Sequence, residues 1–254
     1  MAKNEPRVNA GKAGSILGLP NVTAFYELVL GLMERSSFLP GWGVFYGRAG
    51  LGKTVAATRT AINLDCIYIE CGPTWNSSTL MDNILHELME RDLRGTVNKK
   101  LDRIINILSE SPRPLIFDEA NFLIDKRLVD VVRYIHLKTL SPIVLIGEEN
   151  IHAKLIPYDR AHSRVSKWVA AEYCRPEDAR ALAEANAPEV KLADDLLKHF
   201  VEQCHGVTRY IVSNIDRARV KAIREQLTTI DLQSWVIEDT YAGNPPRTLR
   251  RAGK

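Results

Sequence analysis

Residues 47 to 54 read Gly47-Arg48-Ala49-Gly50-Leu51-Gly52-Lys53-Thr54, which satisfies the pattern G-x-x-x-x-G-K-[ST] at every fixed position. The residue types define a chemistry. Glycines permit a tight loop whose main-chain N–H groups turn inward around phosphate oxygens. Lys53 supplies a point charge for the β- and γ-phosphates, and Thr54 offers a hydroxyl to magnesium. With Arg48, Ala49, Leu51 and Val55 completing the loop and the helix it opens, the expected ligand is ATP with Mg2+. A helix N-terminus also favours anions.

A second acidic feature complements the loop. Pro114-Leu115-Ile116-Phe117-Asp118-Glu119 is an apolar run ending in two carboxylates. Such a run reads as a buried parallel strand, and open α/β sheets bind ligands at the carboxyl ends of their strands. Asp118 is expected beside magnesium together with Thr54. Glu119 is expected to polarise an attacking water as a general base. In isolation an Asp-Glu strand end is ordinarily a solvated end; the phosphate loop upstream gives it a function.

These groups need a scaffold. Gly41 to Tyr46 before the loop is a short apolar run suited to a strand, and Val55 to Ile62 after it is an alanine-rich helix. Asn21 to Glu34 reads as a helix capped by Asn21, with Phe25, Leu28, Val29 and Leu32 on one face. Cys66 to Cys71, Ile143 to Gly147 and Lys167 to Tyr173 read as further strands. Ser77 to Arg91, Lys99 to Leu108 and Asp125 to Lys138 read as helices. The alternation implies a largely parallel sheet covered on both faces. From Pro176 the character changes: Pro176 to Asn186, Leu192 to Cys204 and Thr208 to Gln226 are helical, with a short last helix near Leu232 to Asp239. The expected organisation is a flexible arm at 1–20, an α/β core at 21–174, a small all-helical lid domain at 175–243 and a basic tail at 244–254.

At 254 residues, with 45% hydrophobic and 26% charged residues, the chain has the composition of an ordinary globular protein. A formal charge of +3 neither requires nor excludes a nucleic-acid partner, because local clusters decide. There is no apolar run of membrane-spanning length and no signal-peptide core, so no membrane partner is expected. Cys66, Cys71, Cys174 and Cys204 lack metal-ligand spacing and read as reduced thiols of a cytoplasmic protein.

A phosphate-loop α/β core followed by a short helical lid resembles the AAA+ ATPases. The nearest resemblance within that class is to transposition ATPases of the phage Mu B type and transposon target-selection ATPases. It rests on Val44 to Thr54, Leu115 to Ala120, Val144 to Gly147, Ser163-Arg164-Val165 and Gly206-Val207-Thr208-Arg209. The resemblance implies a P-loop NTPase (AAA+) fold and an ATP hydrolase that assembles with itself on double-stranded DNA and acts on a transposase. It implies an arginine finger at Arg164, with Arg160 as the alternative, and a nucleotide sensor at Arg209 in the lid. Ile143 to Gly147 matches the sensor-one strand, although Glu148 stands where relatives place a neutral polar residue, with Asn150 as a nearby substitute.

Arg91, Arg94, Lys99, Lys100 and Arg103 form a dense basic cluster around an expected interhelical loop. In filament-forming relatives this region lies toward duplex DNA, so these residues are expected to contact phosphates; a solvated charged face is the alternative. The same skeleton is shared by secretion-type assembly ATPases and helicase loaders, which act on protein partners.

Overall fold

The computed structural model describes residues 18–243. Residues 1–17 of the expected arm, and the tail with Arg247, Arg250, Arg251 and Lys254, lie outside the described residues. The described chain divides into two compact units, one spanning Leu19–Glu172 and one beginning at Tyr173.

The first unit is a five-stranded sheet of order β2-β3-β4-β1-β5. The strands are β1 (Trp42–Tyr46), β2 (Ile67–Glu70), β3 (Leu115–Asp118), β4 (Ile143–Gly147) and β5 (Val165–Ala170), all paired in parallel. β3 and β4 are buried throughout, which is why they read as continuous apolar runs without alternation. The intervening helices are α1 (Pro20–Met33), α2 (Lys53–Asn63), α3 (Ser77–Glu87), α4 (Val97–Glu110), α5 (Ala120–Asp125), α6 (Val129–Thr139), α7 (Ile151–Leu155) and α8 (Asp159–His162).

Side chains alternate across the sheet. Trp42 and Val44 join one core cluster with residues of α3, α4 and α6. Phe45 points the other way and meets Phe25 of α1 edge-on, with ring centroids 5.2 Å apart. Gly43 makes this second face flat: a Cβ there would come within 2.8 Å of Leu28 and 2.9 Å of Leu32. All four cysteines are free and buried, and burial pushes the thiols of Cys66, Cys71 and Cys174 up to about 12.

Several element boundaries differ from expectation for local reasons. The helix expected over 125–138 begins only at Val129, because Asp125 ends the separate short helix α5 and Arg127 adopts a left-handed φ of 59°. The helix from Ser77 stops at Glu87, before a left-handed Met89. Asn21 is not the cap of α1, since that position belongs to Leu19; Asn21 reaches elsewhere, as described below.

The second unit holds α9 (Pro176–Asn186), α10 (Asp194–Gln203) and α11 (Thr208–Arg224), with a 3-10 turn at Ile237–Asp239 in place of the expected last helix. It is not wholly helical: β6 (Lys191–Leu192) and β7 (Thr229–Ile230) form a small parallel pair. Two-residue strands are too short to leave a periodic signal.

Phe25 is fully buried between α1 and the sheet. Phe25→Ala is expected to lower the unfolding free energy by about 3–5 kcal/mol, read as a shift of the urea midpoint with an unchanged slope.

Candidate functional site

The phosphate loop leaves the carboxyl end of β1 with its three glycines at positive φ: Gly47 at 153°, Gly50 at 88° and Gly52 at 88°. That geometry is costly for any residue with a Cβ. Gly52 stands at the N-cap of α2, where no side chain caps the first turn. The loop thus presents main-chain amides and a helix N-terminus, as an anion cradle requires. The Lys53 ammonium folds over the loop, donating to the carbonyls of Gly47 at 2.6 Å and Arg48 at 3.0 Å.

Asn21 fastens the outside of this loop. Its amide donates to the carbonyls of Leu51 at 2.9 Å and Glu172 at 2.8 Å, and its oxygen accepts from the Glu172 N–H at 2.7 Å. The residue expected as a helix cap is therefore a brace between α1, the loop and the segment after β5.

The acidic half is assembled around Asp118, which is 3% exposed. Its Oδ2 accepts from the Thr54 hydroxyl at 2.7 Å and the Tyr68 hydroxyl at 2.9 Å, while Oδ1 accepts from the Glu119 N–H at 2.8 Å. A threonine hydroxyl and a carboxylate in direct contact are hard oxygen donors of the kind Mg2+ takes with phosphates. The residues present therefore fit magnesium and a polyphosphate. Burial, followed by the neighbouring Asp118 charge, pushes the Tyr68 phenol well above its ordinary range, so it stays a donor. Tyr68 went unnoticed in the sequence: a tyrosine between two isoleucines reads as a packing residue of β2.

Glu119 is exposed and takes a left-handed φ of 51° at the turn into α5, which separates its side chain from that of Asp118. Its carboxyl is raised, first by partial burial and then by Asp118, with Glu148 and Glu70 adding and Lys53 opposing. The carboxyl ends of β2, β3 and β4 thus gather four acids facing one ammonium group.

The segment after β4 is held by Asn121, a buried amide in the first turn of α5. Its oxygen accepts from the Glu148 N–H at 3.0 Å and its amide donates to Asn150 Oδ1 at 2.7 Å. Glu148 is exposed just past β4. Asn121 lay unremarked in an apolar segment, although a lone amide among apolar residues is a usable signal.

Other expected site residues fall apart from this group. Arg164 precedes β5, and its carbonyl accepts from Trp42 N–H at the amino end of β1. The phosphate loop leaves the opposite end of β1, so the two do not meet within one subunit. Arg160 is exposed on α8. Arg209 is exposed in the first turn of α11, in the second unit.

The basic cluster needs correction. Lys100 is only 6% exposed and is paired with Asp82 at 2.6 Å, so it does not belong to a cationic surface. Its neighbours Leu101 and Ile104 pack the α4 face inward, and the amphipathic helix carries Lys100 with it. Arg94 is tied to Asp92 at 3.0 Å, and Arg103 donates to the Asp92 carbonyl. Arg91 and Lys99 are exposed. Among the described residues no cluster of His, Cys, Asp and Glu could by itself hold a metal ion, and no helix is long and apolar enough to cross a membrane.

The raised Glu119 carboxyl has a signed consequence. The folded state holds that proton more tightly than the unfolded chain, so the associated stability is present at low pH and lost as pH rises through the raised value. Glu119→Gln is therefore expected to melt higher than the parent protein at pH 7 without nucleotide. The gain should vanish below about pH 4, as a series of thermal melts would show.

Residues 36–155 match the family described as AAA domain. The fold is similar to that of the Aeropyrum pernix ORC2 protein in its ADPNP–ADP complexes, with a TM-score of 0.66 at 14% identity over 91% of this chain and 67% of that one. It is similar to the Thermotoga maritima RuvB Holliday junction branch migration motor, with a TM-score of 0.56 at 17% identity over 84% of this chain and 66% of that one. It is also similar to the A. pernix ORC1 protein in complex with DNA, with a TM-score of 0.57 at 18% identity over 84% of this chain and 62% of that one. The chain thus spans about two thirds of the length of these proteins, and at such identities the likeness is one of fold. No curated protein sequence matches it. The loop, the Asp118 strand and the five-stranded parallel sheet together make this an α/β protein with a P-loop NTPase core, of which residues 36–155 match an AAA domain.

Proposed function

We propose that the protein is an ATP hydrolase that assembles with copies of itself on duplex DNA and regulates transposition by selecting targets and stimulating a transposase, hydrolysis releasing the assembly. The observation that carries the nucleotide reading is the 2.7 Å contact between Thr54 and Asp118 beside the glycine loop. Bound magnesium would supply charge neutralisation at the phosphates. Thr54 and Asp118 would hold it, and the loop amides with Lys53 would bind the phosphate oxygens. Glu119, raised in affinity for a proton, would accept one from the attacking water. Arg164, remote from its own loop, would serve the site of an adjacent subunit, and Arg209 would act as the nucleotide sensor.

Support for DNA comes from three directions. The A. pernix ORC1 protein of similar fold was solved in complex with DNA, and the Thermotoga protein is described as a Holliday junction branch migration motor. Arg91 and Lys99 remain as exposed cations for phosphate contacts, joined at their edge by Arg94 and Arg103. The motif resemblance adds the transposition context.

Calorimetry and turnover assays test the chemistry. Lys53→Ala is expected to lose MgATP binding, whereas Glu119→Gln should retain it and lose about 10²–10⁴-fold in turnover. Unchanged turnover in Glu119→Gln would remove the general-base role. Gel shifts of plasmid DNA should require ATP and fail with ADP.

Arg164→Ala is expected to lower turnover by about 10³-fold or more while binding ATP. Mixing it with Lys53→Ala should restore part of the activity, since the second protein supplies the missing arginine. Absence of restoration would place Arg164 outside the neighbour's site.

A further inference from the structure

β2 brings a hydroxyl to the acidic end of the sheet, and the main chain fixes its place. β2 and β3 run in register with Tyr68 opposite Ile116 and Glu70 opposite Asp118, and the Cys71 N–H donates to the Asp118 carbonyl at 2.9 Å. Alternate residues of a strand share a face, so Tyr68 and Asp118 project from the same side of the sheet as diagonal neighbours. Glu70, directly opposite Asp118, is exposed. Tyr68 is half-buried, and its hydroxyl reaches Asp118 Oδ2 at 2.9 Å.

The donors on this carboxylate are unevenly shared. An ionised carboxylate offers about four lone-pair positions, two on each oxygen. Oδ2 accepts from the Thr54 hydroxyl at 2.7 Å as well as from Tyr68, so both of its positions are filled. Oδ1 accepts from the Glu119 N–H at 2.8 Å. The saturated oxygen is therefore the one on the Thr54 side. A threonine hydroxyl that gives its proton to a carboxylate keeps its own lone pairs for a cation. A cation on those lone pairs would face an Asp118 oxygen with no position left for it. Packing alone would be served equally well by phenylalanine at 68, so the hydroxyl calls for a reason of its own.

Divalent cations respond differently to such an oxygen. Mg2+ dehydrates reluctantly and keeps several waters, whereas Ca2+ takes about 6–8 oxygen ligands and accepts carboxylates directly in flexible geometry. We infer that Tyr68 is a positioning residue that selects the cation: by filling the second position of Asp118 Oδ2 it keeps the carboxylate from binding a metal directly, and so favours Mg2+ over Ca2+. The inference rests on the metal–nucleotide reading above and adds to it the control of which metal enters. Removing the Tyr68 hydroxyl frees one position on Oδ2 and opens the site to direct carboxylate ligation.

The test measures binding rather than turnover. The full-length protein is titrated with a fluorescent ADP analogue in Mg2+ or in Ca2+, and a thermal melt confirms that each variant is folded. The parent should bind more tightly with Mg2+. In Tyr68→Phe, and in Tyr68→Leu as a second hydroxyl-free variant, the preference for Mg2+ over Ca2+ should fall by at least about tenfold. In an Asp118→Asn background the same substitutions should leave the ratio unchanged, because Tyr68 acts through that carboxylate. With Mn2+ as a paramagnetic probe, line broadening by 17O-labelled water should count one fewer bound water in Tyr68→Phe than in the parent. Equal support by Ca2+ in the parent, an unchanged ratio in both variants, or a change that persists in the Asp118→Asn background would overturn the inference while leaving nucleotide binding intact. A parent protein that shows no metal-dependent binding of the analogue would instead remove the nucleotide reading, and the inference with it.

Discussion

The hydrogen bond between Thr54 and Asp118 joins two strand ends that are not neighbours, since β4 lies between β1 and β3. A buried carboxylate demands donors, and Asp118 receives them from Thr54, Tyr68 and the Glu119 N–H. A hydrogen bond to a charged acceptor is worth about 1.5–3 kcal/mol, so these contacts fix the loop relative to the acids. Asn21 braces the loop from its other side. The cradle is thus held between two sets of polar contacts while its glycines keep the backbone turned inward.

The same place concentrates like charge. Glu70, Asp118, Glu119 and Glu148 stand at the ends of three adjacent strands, and partial burial followed by their repulsion raises the Glu119 proton affinity. A polyphosphate would add to that repulsion unless its charge were met by the loop amides, Lys53 and a divalent cation. The acids would therefore tie nucleotide occupancy to metal occupancy, and Asp118 is the member whose oxygen already faces the threonine hydroxyl.

Much of this was legible in the sequence because the signals were local. The phosphate loop is one contiguous octet, and the strand ending in Asp118-Glu119 is a continuous apolar run. Features built from distant residues were not legible. Asn21 looked like a helix cap because its role depends on Leu51 and Glu172, far along the chain. Lys100 looked like part of a basic patch because its burial depends on which face of α4 turns inward and on Asp82 across the helix pair. Tyr68 acts through Asp118 on β3 and Asn121 through Glu148 and Asn150 past β4, and β6 with β7 is too short to have a period. The break between α5 and α6 rests on one left-handed residue, Arg127, that carries no glycine to announce it.

The four buried thiols lend the molecule an internal reporter. With Cys66, Cys71 and Cys174 held near 12, and Cys204 also raised, little thiolate exists at neutral pH in the closed protein. Cys66 and Cys71 belong to the sheet unit, whereas Cys174 and Cys204 belong to the helical one. Alkylation at each pair therefore becomes a clock for the opening of its own half, and breathing of the two halves can be timed separately in one sample without adding a label.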